Sequence, residues 1–334
     1  MELALNTYSI RNEWFLIDGL NGLIKLLKET GLKKVEMFDA HFKVSKQDWN
    51  TAAKLQLPEL ADVQKALKEL DVDVFALAPH VKYLCEEDKV EETIEKGKKW
   101  VDICAEYGIE TYRASIGGSS KHPRLFPPMD DFDDEDWEEY DQVVDAAVER
   151  CFETFDPVVE YAETKDVVLS IETHHSYSSN YRFMRKLLEK IPSRNLMIDY
   201  DIGNYEQDIL RYKMLEECGE RVYYWHLKTY GYDENGLAVD YQTDKKWKVV
   251  NDQGLLEGGT EMIDVVELAK LSHSKGFDGC LSIEFEGKYC GLVGTLQSIE
   301  IGKAAIAAVN GESYEIKTEM PHEEDIMDEY IPEY

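Results

Sequence analysis

The chain has 334 residues, with 68 acidic against 37 basic side chains and a formal net charge of −31 at pH 7. Such a charge repels a phosphate backbone, so nucleic acid is not an expected partner. At 43% hydrophobic content the chain can fill a sizeable core. No run nears the roughly 20 apolar residues that cross a bilayer, so no membrane association is expected either.

The opening segment, MELALNTYSI, lacks a basic stretch followed by a long apolar one, and a cytoplasmic protein is expected. Read onward, ELALNTYSI, KKVEMFDA, DVFALAPHV and ETYRASIGG have the apolar, β-branched and aromatic content of buried strands. Between them DGLNGLIKLLKETG, PELADVQKALKELD and DKVEETIEKGKKWVDICAEYG carry apolar residues at helical spacing, with Gly31 and Gly108 at helix ends. Four further strand segments follow, VVLSIETHHS, NLMIDYDIGN, VYYWHLKTY and CLSIEFEG, and GTLQSIEIGKAAIAAVNG supplies a closing helix. Eight strand–helix alternations predict a (β/α)8 TIM barrel in one domain, residues 1–310, followed by an acidic extension, 311–334. An open doubly wound sheet would want a Gly-rich phosphate turn after the first strand, and TYSIRNEW has none.

Two stretches break the rhythm. Residues 117–140 form a Pro-rich loop and then a dense acidic run, expected to cap the fourth helix in solvent, with the loop a candidate lid. The extension is acidic yet rich in Tyr, Ile and Met, which suggests packing on a neighbouring subunit or partner rather than a disordered tail. The six cysteines are scattered without a CxxC pair and are expected to be reduced.

The four late strands each end on a metal-binding type of side chain: Glu172, Asp201, His226 and Glu284. Parallel α/β sheets place their chemistry at the carboxyl ends of strands, and three carboxylates with one imidazole suit a divalent cation. Side-chain parity leaves Asp199 as a competitor of Asp201, and Glu286 as a competitor of Glu284. Asp201 is preferred because it precedes the Gly203-Asn204 turn.

The segments Glu172-Thr-His174, Asp201-Ile-Gly-Asn204, His226-Leu-Lys228 and Ser282-Ile-Glu284 resemble the E-x-H, D-x-G-[HN], H-[LV]-K and x-I-E elements of the xylose-isomerase-like TIM barrels. By that resemblance Glu172, Asp201, His226 and Glu284 are the ligands of a divalent ion, most suitably manganese, with magnesium, cobalt or zinc as alternatives. The resemblance implies an isomerase or epimerase that removes a proton beside a sugar carbonyl through an enediolate. Glu172 and Glu284 would then act on opposite faces of the substrate, with His174 as a further candidate base. A variant, similar to the larger subunit of C-glycoside deglycosylases, would expel a substituent from a 3-oxo-C-glycoside; a non-catalytic module on the same fold is the remaining class. Endonuclease IV also shares these elements, but here Asn204 stands in place of one of its His ligands, and the charge is wrong for DNA. His80, Glu36, Arg113, Asn204 and Lys228 are candidate substrate contacts, and Tyr8 and Trp14 candidate packing surfaces for a sugar or aglycone. His41, His122, His273 and His322 fall off the strand ends and receive no role. A small sugar or sugar derivative is the expected ligand, in a homo-oligomer or a complex with a small partner subunit.

Overall fold

The computed structural model describes residues 1–44, 57–117, 134–174, 177–205, 208–230, 237–239, 246–249, 255–258, 261–287, 290–317 and 320–331. Seven strands come first: β1 (Glu2–Asn6), β2 (Lys34–Phe38), β3 (Asp73–Ala78), β4 (Thr111–Ala114), β5 (Val168–Glu172), β6 (Leu196–Asp201) and β7 (Val222–Thr229). Four short strands follow, β8 (Leu237–Val239), β9 (Lys246–Val249), β10 (Leu255–Gly258) and β11 (Glu261–Asp264), before β12 (Cys280–Phe285). The long-range order is a closed barrel, β1-β12-β7-β6-β5-β4-β3-β2, as the eightfold alternation predicts. Strands β8 to β11 instead form a separate four-stranded sheet, paired antiparallel throughout. This inserted sheet between the seventh and eighth barrel strands is a third break in the rhythm, one the sequence reading passed over.

The chain divides into two compact units: Met1–Leu77 with Trp225–Ser274 and Asp278–Tyr334, and Ala78–Tyr224 with Lys275–Phe277. In the first, β1 pairs in parallel with β12, Ala4 opposite Ser282, and with β2, Asn6 opposite Glu36. Strand β12 also pairs with β7, setting Ser282 opposite His226 and Glu284 opposite Lys228. The period of two then separates the faces: Leu281, Ile283 and Phe285 are buried apolar residues, while Ser282 and Glu284 point the other way.

Around these strands lie α1 (Leu20–Thr30), α2 (Leu60–Lys68), α7 (Val265–Ser274) and α8 (Gly291–Val309). Helix α1 ends on Gly31 at φ 71°, and in the second unit α3 (Val90–Tyr107) ends on Gly108 at φ 64°, the left-handed cap that a Cβ disfavours. By length and composition α8 could cross a membrane, with a mean hydropathy of 1.3. Its apolar surface is spent on the core, where Leu292, Ile299, Ile301 and Ala305 are buried.

The second unit carries β4 to β6 with α4 (Asp134–Glu163), α5 (Tyr181–Lys190) and α6 (Asp208–Cys218). Asp136, Glu138 and Glu139 in the first turns of α4 are exposed, so the described part of the acidic run is solvated. The loop considered as a lid, 118–133, lies outside the described residues. All six cysteines are free thiols, five of them buried.

The extension folds back onto its own chain. Its helix α9 (Glu323–Tyr330) buries Ile326 and Tyr330. The Tyr330 hydroxyl donates to Glu29 on α1, and the Lys25 ammonium lies 4.3 Å above the Tyr330 ring. The preceding segment is pinned to α8, where Glu300 accepts from the Tyr314 hydroxyl at 2.7 Å and from Lys303 at 2.9 Å. Tyr314, Ile326 and Tyr330, three of the residues that suggested an external partner, are engaged within the chain.

Candidate functional site

In the second unit the inward-facing positions of β4, β5 and β6 form polar layers. Thr111 and Ser170 share a hydrogen bond at 2.8 Å. One layer nearer the carboxyl ends, the Arg113 guanidinium meets the Glu172 carboxylate at 3.2 Å, with Glu172 only 2% exposed. Arg113, expected to touch substrate, is therefore engaged with an acid of the predicted set.

Glu172 stands opposite Asp199 in the β5–β6 register. Thr173 then ties the two strand ends together: its hydroxyl receives the Asp201 amide at 2.8 Å and donates to the Asp201 carbonyl at 3.1 Å. Such a clip fixes the relative height of Glu172 and Asp201. The D-x-G-N pattern has a local reason as well. One Asp201 carboxylate oxygen accepts the Gly203 amide at 2.7 Å and the other accepts the Asn204 side-chain amide, so the turn aims the carboxylate. Asn204, a candidate substrate contact, orients Asp201. His174 follows the strand end half-buried, its backbone clamped by the Ser178 hydroxyl at 2.7 and 3.0 Å. His80, two residues past β3, is exposed.

The first unit holds the other half of the predicted set. His226 is fully buried, with Nε2 at 2.9 and 3.1 Å from the two carboxylate oxygens of Glu36 and Nδ1 at 3.5 Å from Glu284. Ser282 donates to Glu36 at 2.9 Å, and Asn6 donates to Glu284 at 3.2 Å. Lys228, only 1% exposed, bridges Glu284 at 3.3 Å and Glu286 at 3.2 Å. Burial raises the Glu286 carboxyl above its ordinary range and Glu284 adds to the rise, while Lys228 draws it back. Tyr8 is raised by burial and by the Glu286 charge.

Both aromatic candidates are already engaged. Arg11 lies 4.3 Å over the Tyr8 ring, and Phe38 meets that ring edge-on. Trp14 is 1% exposed and stacks on His41 at 4.1 Å, which gives a structural use to a histidine assigned none. Asn6, Ser282 and Arg11 were missed in the sequence. Ser282 shares the parity of Glu284, and Asn6 that of Ala4, a signal that could have found both.

Residues 24–307 match the profile of the xylose isomerase-like TIM barrel. The chain belongs to that family. No curated protein matches the sequence. Among solved structures, it is similar to a D-tagatose 3-epimerase-like protein, with 15% identity over 93% of this chain and 99% of that one, at a TM-score of 0.60. It is also similar to a xylose isomerase-like TIM barrel protein from Mycobacterium smegmatis in complex with magnesium, with 13% identity, 92% and 97% coverage and a TM-score of 0.56. A third is the IolI protein with a zinc atom, with 14% identity, 96% and 100% coverage and a TM-score of 0.58. At these identities the likeness establishes the fold.

Proposed function

We propose that this protein is a divalent-metal-dependent enzyme of the sugar isomerase and epimerase kind, removing the proton from the carbon beside a sugar carbonyl. The observation that carries the reading is the donor set. Four consecutive barrel strands, β5, β6, β7 and β12, present Glu172, Asp201, His226 and Glu284, all buried, each offering one atom that could hold an ion. Three hard oxygens and one imidazole suit manganese best, with magnesium, cobalt and zinc also compatible. The acids of this set are already oriented by neighbours, Glu172 by Arg113, Asp201 by Gly203 and Asn204, and Glu284 by Asn6 and Lys228. Family membership and the epimerase-like, magnesium-bound and zinc-bound neighbours support the same reading.

When bound, a divalent ion polarises a sugar carbonyl and its neighbouring hydroxyl, which lowers the cost of taking the adjacent proton. The chain's own groups do the rest in this proposal. Glu172 and Glu284 accept and return the proton on opposite faces, Arg113 and Lys228 hold their carboxylates in place, and His174 stands at the rim as a further base.

The test combines metal and mutation. Purified protein should carry a divalent metal, lose turnover on chelation and regain it best with manganese. Glu172→Gln and Glu284→Gln should each lower turnover at least about 100-fold, the lower end of general acid–base contributions, in protein that circular dichroism shows to be folded. Free ketoses are screened by deuterium uptake from solvent at the carbon beside the carbonyl; 3-oxo-glycosides, with and without a small partner subunit, form the arm for elimination. Near-normal turnover in either variant, or full activity in metal-free protein, refutes the proposal.

A further inference from the structure

Glu36 is the least expected member of the buried polar set. It sits in the middle of β2, wholly shielded from solvent. Its carboxylate oxygens lie 2.9 and 3.1 Å from Nε2 of His226, and Ser282 donates a hydrogen bond to it at 2.9 Å. Both carboxylate oxygens of Glu36 are placed to accept, one of them from the Ser282 hydroxyl. Nε2 must then carry the imidazole hydrogen. In the neutral ring the lone pair is left on Nδ1, the atom that faces Glu284 at 3.5 Å. The neighbouring register enforces the arrangement, because Asn6 stands opposite Glu36 on β1 and Ser282 opposite His226 on β7.

We propose that Glu36 is a positioning residue: it fixes the Nε2–H tautomer and the ring plane of His226, so that the imidazole offers Nδ1 to the cation beside Glu284, while Ser282 anchors Glu36. This rests on the metal reading of the site and assigns Glu36 a part other than substrate contact. Residues that orient a ligating histidine from behind typically carry a 10- to 100-fold effect on metal affinity. Asn6 does the equivalent for Glu284, donating to one carboxylate oxygen while its own carbonyl oxygen accepts the Tyr8 amide at 2.9 Å.

The experiment has two readouts on purified protein. Long-range proton–nitrogen correlation on metal-free protein carrying 15N-histidine reports the tautomer, and titration with Mn2+ followed by electron paramagnetic resonance reports affinity. Wild type should show Nε2–H at His226. Glu36→Met, which removes the acceptor at similar volume, should populate both tautomers and weaken Mn2+ binding about 10- to 100-fold. Glu36→Gln, which keeps the shape and one acceptor, should fall between, and carries the test alone if the Met variant does not fold. An Nδ1–H tautomer in the wild type, or variants that bind Mn2+ as tightly as wild type, overturns the inference alone. A wild-type protein with the stated tautomer that binds no divalent ion overturns the metal reading and the role of Glu36 toward it together.

Discussion

Gly294 offers a way to ask how rigidly the floor under Glu284 is built. It lies in the first turn of α8, and a methyl added to its Cα would come within 2.4 Å of Cγ, Cδ2 and Cε2 of Phe285. Carbon atoms rest at about 3.5–4.0 Å, so the ring would have to withdraw by about 1 Å or more. Phe285 is 1% exposed, and its backbone is held on both sides, the amide by Ser9 and the carbonyl by Arg11, each at 2.9 Å. Ring movement therefore pulls on the residue before it, Glu284. In an unhindered helix, glycine to alanine gains about 1 kcal/mol. Overpacking costs about 1–3 kcal/mol, and a methyl driven against an aromatic face belongs at the upper end, leaving Gly294→Ala about 1–2 kcal/mol less stable. Urea unfolding followed by circular dichroism should show a lower midpoint with an unchanged slope. A variant as stable as wild type, or more so, would mean that helix propensity outweighs packing here and that the floor yields.

Other expectations follow from the same geometry. Arg113→Ala leaves the Glu172 carboxylate buried without its guanidinium and should cost on the order of 3 kcal/mol. Adding Glu172→Gln should recover most of that loss, and equal instability of single and double variants would show that the pair is not coupled. Partial burial works against ionisation of Asp141, but the two-point contact with Arg182, at 2.7 and 3.1 Å, wins and lowers its carboxyl. A lowered acid stabilises the fold above its unfolded value, about 3.9, and loses that contribution as pH falls through the lower folded value. The stability gap between wild type and Asp141→Asn, about 1 kcal/mol near neutrality, should therefore close in acid; a gap that persists there contradicts the assignment. Tyr330→Ala removes the hydrogen bond to Glu29 and the Lys25 contact, together about 1–2 kcal/mol, and should speed amide exchange in α9 while leaving the global urea midpoint in place. A midpoint that drops with it would make α9 part of the cooperative core.

The barrel was legible because its signals repeat. Each buried strand is a short apolar run, and Gly31 and Gly108 stop helices where a left-handed cap is needed. Glu172, Asp201 and Glu284 were legible because they stand at or next to the last residue of their strands. Depth was harder. Parity says that Glu36 and His226 point inward, but not that one lies behind the other, since that depends on register between strands distant in sequence. The inserted sheet escaped because its strands are only three or four residues long, too short for periodicity to separate from loop. The extension was legible only in part, because apolar content tells that a segment is covered, not by which surface.

The first unit is assembled from three stretches far apart in the chain, 1–77, 225–274 and 278–334, whereas the second is nearly one run, 78–224. During synthesis the leading 77 residues must wait, their first strand lacking the neighbour that arrives 278 positions later, Leu3 against Leu281. Vectorial folding should thus begin in the middle of the polypeptide. The nascent amino-terminal portion, with β1 unpaired along one edge, would be the species most in need of chaperone shelter.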